Sequence, residues 1–269
     1  MKYKTIIMEK KDGIAILTLN RPETLNAWNA TMAEEVTNAL NEINKDKKTR
    51  IMIITGAGRG FSSGADLGKE SSTSGKSKTS EMLYMRLAQG KPTVVDIGLR
   101  LQRLDKPVIG AINGVAVGAG LSIALACDLR IASEKAQFSM IFVKRGLIPD
   151  CGGSFFLPKL IGSAKACELI FTGDIIDAGE AERIGLVNKV VPHEELMKTT
   201  EELANKLLKR PPISLKYAKR AIYKGLTEVN LASHIDYEIS LNRMLHDTED
   251  LKEGVKAFLE KREPLFKGK

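Results

Sequence analysis

Two short glycine-rich stretches constrain this chain more than any other feature: FSSGADL at 61–67 and NGVAVGAGLS at 113–122. Each follows a short apolar run, RIMIITG at 50–56 and PVIGAI at 107–112, that reads as a buried strand. The second also leads into a helical pattern at Leu121–Ala126. A strand, a glycine turn and a helix start together expose backbone N–H groups, because the first N–H groups of a helix have no intrahelical acceptor and sit at the positive end of its dipole. Small residues let an anionic oxygen come close. Taken alone, such a turn is more often a packing device than a site, so the pattern first restricts the fold.

The neighbouring sequence has the same alternating character. Residues 3–20 predict two strands around a Lys-Asp-Gly turn. Met32, Val36, Ala39, Leu40 and Ile43 then repeat at helical spacing, and LRIAS at 129–133 is a further strand. Strands alternating with helices predict an α/β fold. From about Ser163 the pattern becomes helical, as in EELMKTTEELANKLLKR and EDLKEGVKAFLEKREPLF. The Ser/Thr/Lys-rich segment 69–82 has no apolar period and is expected to be a surface loop or a lid.

A chain of 269 residues, 43% apolar, can bury one large domain with an appendage. No apolar leader and no membrane-length apolar run is seen, so neither a signal peptide nor a span is expected. Three unevenly spaced cysteines match neither a disulfide framework nor a zinc site, which favours a cytoplasmic setting without metal. The net charge of +8 suits an anionic partner. Nucleic acid is disfavoured, since the lysines are dispersed and not interleaved with aromatics.

Five segments, taken in order, are far more specific. NRPETLNAWN, GRGFSSGADL, KPVIGAINGVAVGAGLSIALACDLRIAS, GLIPDCGGS and GDIIDAGEAERIGLVNKVV resemble the crotonase (enoyl-CoA hydratase/isomerase) superfamily. The resemblance implies a spiral of ββα units over residues 1–195 and a helical trimerisation region over 196–269, assembled as a homotrimer or a dimer of trimers. It implies an acyl-CoA thioester substrate and no cofactor beyond its CoA moiety. Carried over by position, Ala65 and Ala119 donate backbone N–H groups to the thioester oxygen. Leu25, Ala27, Asp66, Leu67 and Gly118 border the CoA and acyl site, with Phe258 and Lys261 reaching it from a neighbouring subunit.

One departure from the family pattern shapes the chemistry. Family hydratases carry two glutamates where this chain has Ser122 and Phe142. Water addition needs a base and an acid, and Phe142 can be neither. Asp150 in GLIPDCGGS is the available carboxylate, in a context that resembles the epoxyphenylacetyl-CoA isomerase-like branch. One carboxylate can take a proton from one carbon and return it to another, so a double-bond or ring isomerisation is the economical expectation. The alternatives are a hydratase with a non-standard site and a catalytically silent CoA- or RNA-binding paralogue. All three histidines lie in the C-terminal third, which disfavours a dehalogenase. Cys151, with no base in view, is expected to be packed rather than nucleophilic, while Asp66 and Asp128 are expected to act as local hydrogen-bond braces, Asp66 being also a secondary catalytic candidate.

Overall fold

Strand β3 (Ile51–Gly56) is buried at every position, as a central parallel strand must be when both faces are covered. In the computed structural model, which describes residues 3–66 and 85–269, it lies at the middle of a six-stranded sheet. The hairpin β1 (Ile6–Lys11) and β2 (Ile14–Leu19) turns at Asp12 and Gly13, both at positive φ. Strand β2 pairs with β3, and helix α1 (Ala30–Lys45) packs back on the sheet, buried through Met32, Val36, Ala39, Leu40 and Ile43 as the spacing predicts. The predicted loop at 69–82 falls outside the described residues.

The chain then repeats a three-part unit. Strand β3 is followed by β4 (Gly60–Ser62) and later by α2 (Val94–Arg103). Next come β5 (Val108–Ile112), β6 (Val115–Val117) and α3 (Ala119–Leu125), then β7 (Leu129–Ser133), β8 (Gln137–Ser139) and α4 (Gly153–Ile161). The first strand of each unit joins the large sheet, and the second joins a four-stranded sheet in the order β4-β6-β8-β9. This is the spiral of ββα units that the resemblance implies.

The stretch after Ser163 is not purely helical. Between α5 (Ser163–Thr172) and α6 (Ala178–Arg183), β9 (Ile176–Asp177) closes the small sheet against β8; after α6, β10 (Lys189–Val191) pairs with β7. Strands of two and three residues are too short to show a period of two. Beyond them come α7 (Leu196–Leu208), α8 (Pro212–Gly225), α9 (Leu231–Arg243) and α10 (Glu249–Leu259).

Alternate residues of the large sheet face opposite ways. Met52, Ile54, Val108 and Ile112 meet the main core with α1, α2 and α3. Ile51, Ile53, Ile109 and Ile131 meet α7 through Leu196 and Ala204. Helix α8 is fastened by Lys219, whose ammonium donates to Asp128 Oδ2 at 2.8 Å and to the carbonyls of Leu101 (2.9 Å) and Lys106 (3.1 Å). Asp128 also accepts from Val108 N–H (2.7 Å) and the Tyr223 hydroxyl (2.8 Å), so it is a brace. Among the described residues, no helix is long and apolar enough to cross a membrane.

Candidate active site

Each of the three candidate catalytic positions follows the second strand of a unit. Strand β4 runs into Ala65, β6 into Gly118 and Ala119, and β8 through the short turn Ile141–Arg145 towards Asp150. These strands are parallel neighbours, so their carboxyl ends deliver the three segments to one edge of the small sheet. Open parallel sheets place ligands at that end.

Ala65 is held by the segment around Trp28. Trp28 N–H donates to Gly64 O at 2.8 Å and Asp66 N–H to Trp28 O at 2.9 Å, making an isolated parallel bridge between Trp28 and Ala65. Within such a bridge the N–H of residue 65 turns away from the Trp28 strand. Gly64, at φ +94°, allows the next contact: a side-chain carbon there would lie 2.8 Å from Val117 O and 3.4 Å from Ala119 N. Only glycine lets this turn reach the start of α3. Gly118, at φ +55°, donates to Ser139 O at 2.9 Å and sets Ala119 as the first helical residue. Among the described residues, neither the Ala65 nor the Ala119 N–H has an acceptor. Two adjacent turns thus offer free amide donors, one of them at a helix start.

Leu25 and Asn26 lie beside this pair in consecutive left-handed conformations, φ 53° and 58°. Asn26 sustains the turn with its side chain, accepting from Arg21 N–H (2.8 Å) and donating to Ala57 O (2.9 Å) and Gly60 O (2.7 Å). Ala27 is buried, and Asp66 pairs with Arg21 at 2.8 Å. Leu67 falls outside the described residues. Sequence reasoning passed over Arg21, Asn26 and Trp28, although all three stand in the NRPETLNAWN segment.

Asp150 sits on a tight turn between α2 and α3. Gly153 N–H donates to Asp150 O at 2.8 Å, and Cys151 takes φ +53° with its thiol donating to Asp150 Oδ1 at 3.1 Å. A side-chain carbon at Gly98 of α2 would lie 2.5 Å from Cys151 O, and one at Gly153 would lie 2.5 Å from Ser122 Oγ of α3. Asp150 itself is exposed on this turn. Surrounding protein pushes its carboxyl above the usual range by desolvation, an effect only partly offset by the Cys151 thiol and by a backbone hydrogen bond.

Burial, with the Asp150 and Asp96 charges adding to it, holds the Cys151 thiol protonated. Burial likewise pushes Cys127 up to about 12. Cys167 is exposed. Native protein is therefore expected to take up iodoacetamide at Cys167 alone, and at all three cysteines once denatured, read by intact mass. Rapid native alkylation of Cys151 would contradict this packing.

Phe142 is buried, with its ring beside Gly118: a side-chain carbon at Gly118 would lie 3.9 Å from Phe142 Cζ. Ser122 is fully enclosed, and its Oγ has no partner among the described residues. The positions where a hydratase carries glutamates therefore hold a ring and an enclosed hydroxyl. His193 shares a hydrogen bond with Ser133 (3.0 Å), and His234 faces Glu238 in its own helix (3.4 Å). Phe258 on α10 is 82% exposed, and Lys261 is exposed just beyond it.

The model of the enoyl-CoA hydratase/isomerase family matches residues 9–269. The chain is 40% identical to the 1,2-epoxyphenylacetyl-CoA isomerase of Escherichia coli over 265 residues, 98% of each chain. It is 39% identical to the short-chain-enoyl-CoA hydratase of Clostridium acetobutylicum over 266 residues, 97% of each. The crystal structure of an enoyl-CoA hydratase from Bacillus anthracis superposes with a TM-score of 0.91 at 35% identity, covering 99% of this chain and 100% of that one. With the strand-end geometry and these matches over nearly its whole length, the chain belongs to the enoyl-CoA hydratase/isomerase family of the crotonase superfamily.

Proposed function

We propose that this protein isomerises an acyl-CoA thioester, with Asp150 carrying a proton between two carbons of the acyl chain. The observation that carries the reading is the company Asp150 keeps: its turn packs through Gly153 against Ser122, which stands three residues after Ala119 in α3, while Ser122 and Phe142 occupy the two glutamate positions of a hydratase. The thioester oxygen accepts from the Ala65 and Ala119 N–H groups. The Asp150 carboxylate removes a proton from an acyl carbon, and the electron pair left behind delocalises onto that oxygen as an enolate. Asp150, now protonated, returns the same proton to another carbon of the conjugated system. No water is consumed and no second acid is needed. The raised proton affinity of Asp150 favours this role, since a base too weak would not take the carbon-bound proton.

Leu25, Ala27, Asp66 and Leu67 border the CoA in this reading, and Gly118 and Phe142 the acyl carbons. Ser122, enclosed behind Gly153, supports the turn that carries Asp150. Phe258 and Lys261 contribute from a second copy in a homotrimer or dimer of trimers, which suits the apolar residues exposed on α9 and α10, Leu231 and Val255 among them. The substrate's own CoA is the one cofactor-like group required, and the three unpaired thiols suit a reducing, cytoplasmic setting.

The likeness to the Clostridium hydratase keeps water addition as the second reading. A panel of β,γ-enoyl-CoA and ring-bearing acyl-CoA thioesters, assayed beside crotonyl-CoA in ¹⁸O water, separates the two. Double-bond or ring isomerisation without ¹⁸O in the product is expected. Efficient ¹⁸O incorporation with no isomerised product would overturn the isomerase reading.

A further inference from the structure

Among the described residues, Arg21 is a charged side chain built tightly into the turn that carries Ala65, and no step above uses it. The side chain is 16% exposed. Its Nη1 donates to Ala27 O at 2.6 Å and its Nη2 to Asp66 Oδ2 at 2.8 Å. Its backbone N–H donates to Asn26 Oδ1 (2.8 Å), and its carbonyl accepts from Asn26 N–H (2.9 Å). Ala27 immediately precedes Trp28 and Asp66 immediately follows Ala65, so one guanidinium grips both sides of the Trp28–Ala65 bridge. Its planar fork suits divergent acceptors held at fixed angles, which a lysine ammonium would meet as a point charge.

We propose that Arg21 is a positioning residue for the oxyanion hole, fixing the direction of the Ala65 N–H by clamping the Ala27 carbonyl to the Asp66 carboxylate. It touches no substrate atom and acts through Ala65. An oxyanion donor is most effective when already aimed at the oxygen on which charge develops, and a hydrogen bond weakens steeply as its angle closes. A small rotation of the 65 turn therefore weakens enolate stabilisation more than it weakens the CoA contacts. The guanidinium faces a protein carboxylate, so its charge is met within the fold and not presented to a phosphate. The inference rests on Ala65 as an oxyanion donor and is independent of Asp150.

The test uses full-length Arg21→Ala, Arg21→Lys, Asp66→Asn and the Arg21→Ala/Asp66→Asn pair. Affinity for free CoA is read from the fluorescence of Trp28, the single tryptophan. Turnover is read as kcat and KM with the substrate the panel identifies, and enolate stabilisation as the ultraviolet enolate band of a bound 3-ketoacyl-CoA. Arg21→Ala is expected to lower kcat by about tenfold or more, to weaken the enolate band and to change the Kd for CoA far less than kcat. Arg21→Lys should fall between it and the wild type. The paired variant should be no worse than Arg21→Ala, because coupled residues are not additive.

A wild-type enolate band and kcat in Arg21→Ala would overturn the proposal. So would a loss confined to CoA affinity, which would make Arg21 a binding residue, or fully additive losses in the pair. If Arg21→Ala does not fold, the Arg21→Lys and Asp66→Asn bands decide by the same criteria. The enolate band does not require Asp150, so a weakened band in the Arg21 variants beside a fully active Asp150→Asn enzyme would sink the proton-shuttle reading and leave this one standing.

Discussion

Asp150→Asn is expected to lower kcat for isomerisation by about 10²–10⁴-fold, the range for a positioned acid–base group, with the affinity for CoA unchanged. Asparagine keeps the volume and can still meet the Cys151 thiol, but it cannot accept a proton from carbon. The wild-type kcat/KM should rise with pH along a limb set by Asp150, displaced above the ordinary carboxylate range because desolvation outweighs the Cys151 hydrogen bond. That limb should be missing from the residual activity of the variant. An asparagine variant with full turnover would remove Asp150 from the chemistry.

The same shift has a consequence for stability. A folded-state pKa above the unfolded value means the folded protein keeps the Asp150 proton where the unfolded chain has lost it. Stability therefore falls as pH rises from about 3.9, the unfolded carboxylate value, through the folded one, and the deficit persists at neutral pH. Asparagine carries no such charge. At pH 7 the variant is expected to melt at a higher temperature than the wild type, with the difference closing below the unfolded pKa. Slower and more stable together is what a desolvated carboxylate that carries the proton should give.

Long-period patterns carried most of the fold, and contacts across distant sequence carried most of the site. The apolar run at Ile51–Gly56, the Asp12–Gly13 turn and the helical spacing from Met32 to Ile43 were legible because each satisfies a local rule. Strands β4, β6 and β8 were not, being three residues each, too short for alternation to stand out. Strands β4 and β6 bring Ala65 and Ala119 side by side, and the chain beyond β8 returns to α3 where Gly153 meets Ser122, so the grouping with Asp150 was readable only through family resemblance. Arg21 and Asp66 are 45 positions apart, and no local pattern announces a fork aimed at a carboxylate. The strand β10 hid in a region read as helical for the same reason of length. The left-handed Cys151 gives no sign in a GLIPDCGGS segment where the glycines draw attention to themselves.

The other large effect comes from deleting one of the two proposed oxyanion donors while the side chains around it stay as they are. Ala119→Pro removes the N–H at the first residue of α3, where that N–H has no helical acceptor to lose and the fixed φ of proline suits a helix start. The helix should persist. Turnover is expected to fall by about 10²–10³-fold, equivalent to about 2.7–4 kcal/mol. The loss should appear in kcat more than in KM, because the ground-state thioester oxygen carries little charge and the enolate oxygen carries much. Ala119→Gly, which keeps the N–H and shortens the side chain, is the control and should stay near wild type in turnover. Both candidate reactions draw on the same oxygen, so Ala119→Pro should impair whichever one the protein performs, whereas Asp150→Asn should impair isomerisation specifically. An enzyme that loses water addition on Ala119→Pro and keeps it on Asp150→Asn would be a hydratase working without the shuttle. An enzyme indifferent to Ala119→Pro would have its negative charge stabilised somewhere other than the edge where β4 and β6 end.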